Sequence, residues 1–203
     1  IFLETMIIDP GHGGSDVGTS LEGMQEKDIA LMYALKLREE LSKKIPTLKV
    51  YLTREDDSFV SLADRAKQAN LKQAHLFLSL HVNHAQSAKI SGIETFILSP
   101  SATDDEARKL ALMENETWLK SSDISETQDD LVRKILVDME QTKYIQKSAL
   151  AAALVQQEFG VLEKNYGVKN RGVKQGFFYV LSQVAMPSVL VEMGFFSNDG
   201  DRS

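Results

Sequence analysis

The stretch TMIIDPGHGG, residues 5–14, joins an apolar run to a tight, glycine-rich bend that carries a histidine. The run from Thr5 to Asp9 predicts a buried β-strand, because three large apolar residues follow one another without interruption. The proline after Asp9 favours an extended exit that aims His12 inward. The glycines allow positive φ angles and a close approach of the backbone to a bound group.

Short apolar runs alternate with helical patterns along the rest of the chain. This alternation predicts an α/β fold with a mostly parallel, twisted sheet flanked by helices. Further strands are expected at Lys49–Thr53, Leu76–Leu80, Ile93–Leu98, Phe177–Leu181 and Ser188–Glu192. Helices are expected at Asp28–Ile45, Leu62–Leu71, Asp104–Lys120, Asp129–Gln146 and Ser148–Leu162. Residues 103–147 interrupt the alternation with acidic helical patterns, which predicts a helical insertion in a single domain spanning residues 1–203.

Composition narrows the classes of function. The 203 residues include 23 basic and 29 acidic side chains, and the resulting net charge of -6 argues against nucleic acid as the main partner. The chain has no cysteine, so a metal ion must be held by histidine, carboxylate or carbonyl groups. No apolar stretch approaches the roughly 20 residues that a membrane-spanning helix needs.

Three titratable residues follow predicted strands directly. His12 lies just past the first strand, His81 ends the run LFLSLH, and Glu192 ends the run SVLVE. Because ligands collect at the carboxyl ends of parallel strands, the three together favour a functional site at that edge of the sheet. Glu26 begins a helical pattern, where it is either a first-turn acid favoured by the helix dipole or an oxygen ligand facing His12.

Two histidines and one carboxylate with an open fourth position are the ligand set of hydrolytic zinc enzymes. Such an enzyme also needs a carboxylate outside the metal shell for proton transfer, and Glu192 fits that role. The glycine-rich bend lacks the lysine of a phosphate-binding loop, which makes a nucleotide site the weaker interpretation.

A series of segments, DPGHGG, EKDIAL, TREDD, LADRAKQAN, SLHVN, NRGVKQGFFYVL and PSVLVEMGFFSN, strongly resembles the zinc-dependent N-acetylmuramoyl-L-alanine amidases of the amidase-3 family. The match covers nearly the whole chain in the family's order. The resemblance implies that His12, Glu26 and His81 bind one Zn²⁺ ion and that Glu192 is catalytic. It also implies cleavage of the amide between N-acetylmuramic acid and L-alanine of the peptidoglycan stem peptide.

The resemblance also has implications for further residues, for the end of the chain, and for the oligomeric state and location of the protein. Asn83, Asn170 and Arg171 match polar positions of the family, where they either hold the substrate or support the fold. Family members continue beyond FFSN into a final helix, so we expect the chain to end before that element. The resemblance also implies a monomer that is periplasmic or secreted and acts on peptidoglycan.

The insertion resembles that of the Gram-negative amidases that separate daughter cells, in which an inserted helix covers the zinc site until an activator protein displaces it. Glu114, or failing that Glu116, is the candidate for an inhibitory zinc ligand. If the strand Ile93–Leu98 is parallel to its neighbours, the insertion leaves the sheet on the side of the site. The alternative is a solvated helical hairpin packed on the domain.

Two other functions remain open at this level. A zinc peptidase that hydrolyses free peptides would use the same ligands, because only the surrounding loops select the substrate. A non-catalytic wall-binding domain would keep the fold without the chemistry, and the presence of His12, Glu26, His81 and Glu192 argues against it.

Overall fold

The computed structural model describes residues 3–121 and 142–202. Its strands are β1 (Thr5–Pro10), β2 (Ser20–Leu21), β3 (Met24–Gln25), β4 (Lys49–Leu52), β5 (Leu76–Asn83), β6 (Ile93–Leu98), β7 (Asn170–Gly176) and β8 (Ser188–Phe195). Its helices are α1 (Glu26–Lys44), α2 (Leu62–Leu71), α3 (Asp105–Glu114), α4 (Glu116–Ser121), α5 (Thr142–Tyr166), α6 (Tyr179–Ser182) and α7 (Asp199–Arg202). The α/β fold with a mostly parallel sheet flanked by helices is confirmed.

Six strands form the central sheet in the order β4-β1-β5-β8-β6-β7. The strands β4, β1, β5 and β8 are parallel to their neighbours within this group. They therefore end at one edge of the sheet, which we call the carboxyl edge. His12 follows β1 at this edge, and His81 and Glu192 lie side by side in the register of β5 and β8.

Helices cover both faces of the sheet, and the alternation of side chains along each strand divides the core in two. Ile7 and Phe77 belong to one buried cluster, which α2 and α3 cover. Ile8 and Leu78 belong to the other, which α1 and α5 cover. Complete burial of a side chain such as Phe77 stabilises the fold by about 1.5–3 kcal/mol.

Local sequence signals explain where the helices near the site begin. The side chain of Asp104 accepts a hydrogen bond from the Ala107 amide and caps α3. Ser61 caps α2 in the same way by accepting from the Asp64 amide. The helix α1 begins at Glu26 with acidic residues in its first turn, which the helix dipole favours.

The strand expected at Phe177–Leu181 is wrong. The strand in this region is β7, which ends at Gly176, and Tyr179–Ser182 is a short helix. Among the described strands, β7 pairs only with β6 at the edge of the sheet, so its NRGVKQG sequence did not need an apolar run. The apolar residues that follow serve the core instead: Phe178 is completely buried and packs against Phe96.

The expected route of the insertion is also wrong, because β6 runs antiparallel to β8. Leu98 therefore ends at the opposite side of the sheet from the carboxyl edge. The chain returns through α3, which starts beside β7, where the Thr103 amide donates to the Gln175 carbonyl at 3.0 Å. The helix ends at Glu114, at the carboxyl edge.

The helices of the insertion differ in extent from the expectation. The helix predicted at Asp104–Lys120 is divided at Asn115 into α3 and α4. Most of the helix predicted at Asp129–Gln146 lies outside the described residues. The helix predicted to start at Ser148 starts by Thr142. Within residues 3–121 and 142–202, none of the helices has the length and apolar composition that a membrane span requires.

Candidate metal centre

His12 is held at the carboxyl edge by the bend that follows β1. It adopts a left-handed backbone conformation with φ 58°. Its carbonyl accepts a hydrogen bond from Arg65 Nη2 at 2.5 Å, and the Gly11 amide before it donates to the Leu80 carbonyl. Gly11 lies against the ring of His81, where a Cβ atom would come within 2.4 Å of the imidazole. The glycine is therefore required for β1 and β5 to bring their histidines together.

The carboxylate of Glu26 points into the same space. One oxygen, Oε2, accepts a hydrogen bond from the Thr19 amide at 2.9 Å, and Oε1 accepts from the Val82 amide at 3.0 Å. Oε1 also lies 3.2 Å from His12 Nε2 and 3.2 Å from His81 Nδ1. Glu26 therefore lies in the first turn of α1 and also faces His12, and its role as a metal ligand stays a prediction.

Glu114 completes a cluster of four potential ligands. Its Oε2 atom lies 2.9 Å from His81 Nδ1 and 3.4 Å from His12 Nε2. One atom from each of His12, Glu26, His81 and Glu114 lies within 4.8 Å of the other three. Glu116 does not join them: its side chain is 61% exposed and pairs with Lys120 at 2.8 Å.

Four of the six distances between the ligand atoms of the cluster match those of a tetrahedral metal site. Four ligands at about 2.0–2.1 Å from a common zinc ion lie roughly 3.3 Å from one another. The four measured contacts between a histidine nitrogen and a carboxylate oxygen are 2.9, 3.2, 3.2 and 3.4 Å. Both ring nitrogens of His12 are buried without a hydrogen-bond partner among the described residues. Nε2 is the nitrogen that faces the cluster, where a metal ion would satisfy it, so the residues present fit a divalent cation.

The electrostatics of the cluster reflect two cationic and two anionic groups packed together. Burial alone would lower the pKa of His12, but the carboxylates of Glu26 and Glu114 raise it to about 10. Burial opposes the same effect at His81, whose pKa is nevertheless raised well above its usual range, mainly by Glu114. Burial would raise the pKa of Glu26, but the two histidines lower it. A bound cation would take the place of the protons that this environment otherwise holds on the imidazoles.

Asp16 lies behind His12 and was not singled out from the sequence. Its Oδ1 is 3.0 Å from His12 Nδ1, close enough for attraction although the two atoms are not aligned for a hydrogen bond. Carboxylates in this outer position orient metal-binding imidazoles. No pattern in the sequence marked Asp16, because it approaches His12 through the turn closed by the paired backbone groups of Gly13 and Asp16.

Glu192 lies beside the cluster with its side chain completely buried. Neither carboxylate oxygen has a hydrogen-bond partner within residues 3–121 and 142–202. Burial raises the pKa of Glu192 well above its usual range, and the carboxylates of Glu114, Glu26 and Glu94 add to this effect while His81 opposes it. Burial of a carboxyl group without a hydrogen-bond partner favours its neutral form.

The remaining predicted site residues make contacts within the protein. Asn83 accepts a hydrogen bond from the His84 amide and lies 3.4 Å from Glu94. The amide group of Asn170 donates to the backbone of α5 and accepts from Gly172, which fixes the start of β7. Arg171 contacts the carboxylates of Glu94 and Glu106. Their role in substrate binding stays a prediction.

Two arginines hold the bend that carries His12. The buried Arg65 forms an ion pair with Asp9 at 2.8 Å. Arg54 acts differently, because it donates to the backbone carbonyls of Pro10, Gly11 and Lys27. These contacts fix the backbone of the bend, which explains how His12 keeps its left-handed conformation.

Comparison with known proteins identifies relatives over almost the entire chain. A family model described as N-acetylmuramoyl-L-alanine amidase matches residues 6–203. AmiC, an N-acetylmuramoyl-L-alanine amidase of Escherichia coli, is 36% identical over 195 residues, which are 95% of this chain and 46% of AmiC. The chain thus spans about half the length of this curated relative.

Solved structures give the same result. An N-acetylmuramoyl-L-alanine amidase from Clostridium difficile 630 superimposes with a TM-score of 0.63 at 27% identity, over 98% of this chain and 83% of the other. The CwlD amidase from Clostridioides difficile, solved in complex with the GerS lipoprotein, superimposes with a TM-score of 0.60 at 27% identity, over 98% and 86% of the two chains.

Proposed function

Because the chain belongs to the amidase-3 family of N-acetylmuramoyl-L-alanine amidases, we propose that it hydrolyses the amide between N-acetylmuramic acid and L-alanine in peptidoglycan. The observation that carries this proposal is the convergence of His12, Glu26, His81 and the buried Glu192 at the carboxyl edge. A site of this composition suits hydrolysis of an amide, since it combines ligands for a cation with an acid outside the ligand set.

We assign His12, Glu26 and His81 as the ligands of one Zn²⁺ ion. When bound, zinc lowers the pKa of a coordinated water from about 16 to about 7 and polarises the carbonyl that is attacked. The backbone amides of Thr19 and Val82 keep the Glu26 carboxylate oriented toward the two histidines. Asp16 holds the ring of His12 from behind.

Glu192 acts as the general base and then as the general acid. It accepts the proton of the attacking water and delivers it to the amine of L-alanine as the amide bond breaks. Its place supports this assignment: it is next to His81 in the strand register, is fully buried, and has both oxygens unpaired within the described part of the chain.

In the conformation described, Glu114 acts as an inhibitory ligand. Its carboxylate lies against both histidines, in the position that substrate and water need. Asn115 anchors the chain beside it by donating to the Phe177 carbonyl and accepting from the Tyr179 amide, both at 2.8 Å. Trp118 stacks on Tyr179 with ring centroids 4.1 Å apart. The insertion is thus attached to the domain directly after Glu114.

An activator protein would have to separate these contacts to open the site. The relative CwlD was solved as a complex with a lipoprotein, which supports the idea of a protein partner. We expect the partner to engage the insertion, whose apolar residues Leu131, Val132, Ile135, Leu136 and Met139 lie outside the described residues. The substrate requires a periplasmic or secreted protein, and we expect it to act as a monomer.

The test is hydrolysis of purified peptidoglycan by the zinc-loaded protein and by a version in which a short linker replaces residues 103–147, with products identified by mass. Release of stem peptides that begin with free L-alanine, mainly by the shortened protein and not after zinc is chelated, is the expected result. Cleavage of free peptides without release from muramic acid would identify a zinc peptidase instead. Folded, zinc-binding proteins that cleave neither substrate would favour a wall-binding domain.

A further inference from the structure

A group of charged side chains on β6 and β7 lies beside Glu192. Glu94 is the register partner of Glu192 across the antiparallel pair and is almost completely buried. Its carboxylate accepts a hydrogen bond from Arg171 Nε and lies 3.1 Å from Lys174 Nζ. The guanidinium of Arg171 also lies over the ring of Phe195, 5.2 Å from its centroid. Both cations are therefore held in place by the body of the domain.

Two further carboxylates of this group belong to the insertion. Glu106 Oε2 lies 3.1 Å from Arg171 Nη2, and Asp104 Oδ2 lies 3.2 Å from Lys174 Nζ. Both come from the start of α3, and the side chain of Glu106 is 60% exposed. The carboxylates of the insertion thus cover the two cations from the solvent side, whereas Glu94 holds them from the inside.

Displacement of α3 would leave this group with an excess of positive charge. Arg171 and Lys174 would then face one carboxylate, that of Glu94, instead of three. With α3 in place the side chains of Arg171 and Lys174 are only 15% and 11% exposed, so moving α3 away would replace the carboxylates of Asp104 and Glu106 by water. A carboxylate arriving with a ligand would restore the balance, and a guanidinium is well suited to bind it.

We propose that Arg171 and Lys174 form a subsite for a carboxylate of the stem peptide, and that Glu106 and Asp104 occupy this subsite as stand-ins while α3 is closed. This inference rests on the proposed amidase function. The ligand class is an acidic peptide, since a stem peptide carries a glutamate carboxylate after L-alanine. A cavity of about 490 Å³ adjoins this group, since Glu94 and Glu106, which contact the two cations, are among its lining residues.

The test measures binding and does not depend on turnover. The variant that combines Asp104→Asn with Glu106→Gln removes the two charges of the insertion and retains a residue that can cap α3. Calorimetry on the zinc-loaded variant compares the γ-methylamide of L-alanyl-D-glutamate with the γ-methylamide of L-alanyl-D-isoglutamine, so that the γ-carboxyl is blocked as in the stem peptide and the two ligands differ only in the α-carboxyl group. We expect the acid to bind about tenfold more tightly than the amide, the effect of about one charge-assisted contact, and more tightly to the variant than to the unmodified chain.

The matched controls separate the subsite from general effects of charge. Adding Arg171→Gln should abolish the preference for the acid, whereas Arg171→Lys should retain part of it. Lys169→Gln, which removes an exposed cation two positions away, should leave the preference unchanged. Equal affinity for both peptides, absence of binding, or a preference that survives Arg171→Gln would overturn the proposal. Loss of hydrolysis with the preference intact would count against the amidase function alone.

Discussion

Replacement of Glu114 by alanine tests whether the insertion blocks the site through this carboxylate. Glu114 makes two contacts in the cluster, 2.9 Å to His81 Nδ1 and 3.4 Å to His12 Nε2. The substitution removes both contacts and opens the position beside the histidines. We therefore expect the basal hydrolysis of peptidoglycan to increase.

The size of the increase follows from the contacts that are lost and those that remain. Hydrogen bonds to charged groups contribute about 1.5–3 kcal/mol, which corresponds to a roughly ten- to hundredfold shift toward the open site. The hydrogen bonds of Asn115 and the stacking of Trp118 on Tyr179 still hold the insertion against the domain. Activity should consequently stay below that of the protein with the insertion replaced.

The assay measures the release of soluble stem peptides from purified peptidoglycan by the zinc-loaded protein. Glu116→Ala is the matched control, because Glu116 lies two residues away and is exposed and paired with Lys120. Binding of zinc should be measured in parallel, since loss of a ligand would otherwise resemble loss of activity. Unchanged activity in Glu114→Ala, or an equal increase in Glu116→Ala, would refute the inhibitory role of Glu114.

Three further predictions concern the site and the fold. In the protein whose residues 103–147 are replaced by a linker, Glu192→Gln should lower the hydrolysis rate by about 10²–10⁴-fold while zinc is still bound, as expected for loss of a general acid and base. Retained activity would exclude this role of Glu192. His12→Ala should weaken zinc binding, measured by competition with a chelator, and should reduce the increase in melting temperature that zinc produces. The buried Asp9 makes the stability of the fold depend on pH. Burial would raise the pKa of Asp9, but Arg65 and hydrogen bonds from Thr53 and Ser79 lower it. The contribution of Asp9 to stability is therefore present above about pH 4 and is lost as the pH falls further. Asp9→Asn should accordingly be less stable at pH 7 and lose less stability between pH 5 and pH 3, measured by urea unfolding; equal acid sensitivity would contradict this account.

Strands buried on both faces were the most predictable parts of the fold. The runs at Thr5–Asp9, Leu76–Leu80 and Ile93–Leu98 lie within β1, β5 and β6, because a strand covered by helices on both sides must be apolar at nearly every position. The prediction failed at Phe177–Leu181, where the same rule selected core residues that follow an edge strand. An apolar run indicates that a segment is buried. It indicates a strand only where the buried segment also lies inside the sheet.

The direction of β6 shows the limit of the argument from strand ends. The sequence of a strand and of its flanking residues does not show whether it runs parallel or antiparallel to its neighbour. The run Ile93–Leu98 therefore could not indicate that β6 is antiparallel to β8. The insertion reaches the site all the same, because α3 carries the chain back to the carboxyl edge. The insertion therefore lies beside the site as expected, but the sequence did not indicate the path of the chain that brings it there.

By itself the sequence determined the α/β class, the buried strands, and the placement of His12, His81 and Glu192 at strand ends, because these depend on local patterns of apolar and polar residues. Only the tertiary structure decided that Glu114 and not Glu116 joins the cluster, that Glu94 holds Arg171 and Lys174, and that Asp16 stands behind His12. The physical reason is that contacts between residues far apart in the chain depend on how strands are ordered and directed, and local periodicity carries no record of either.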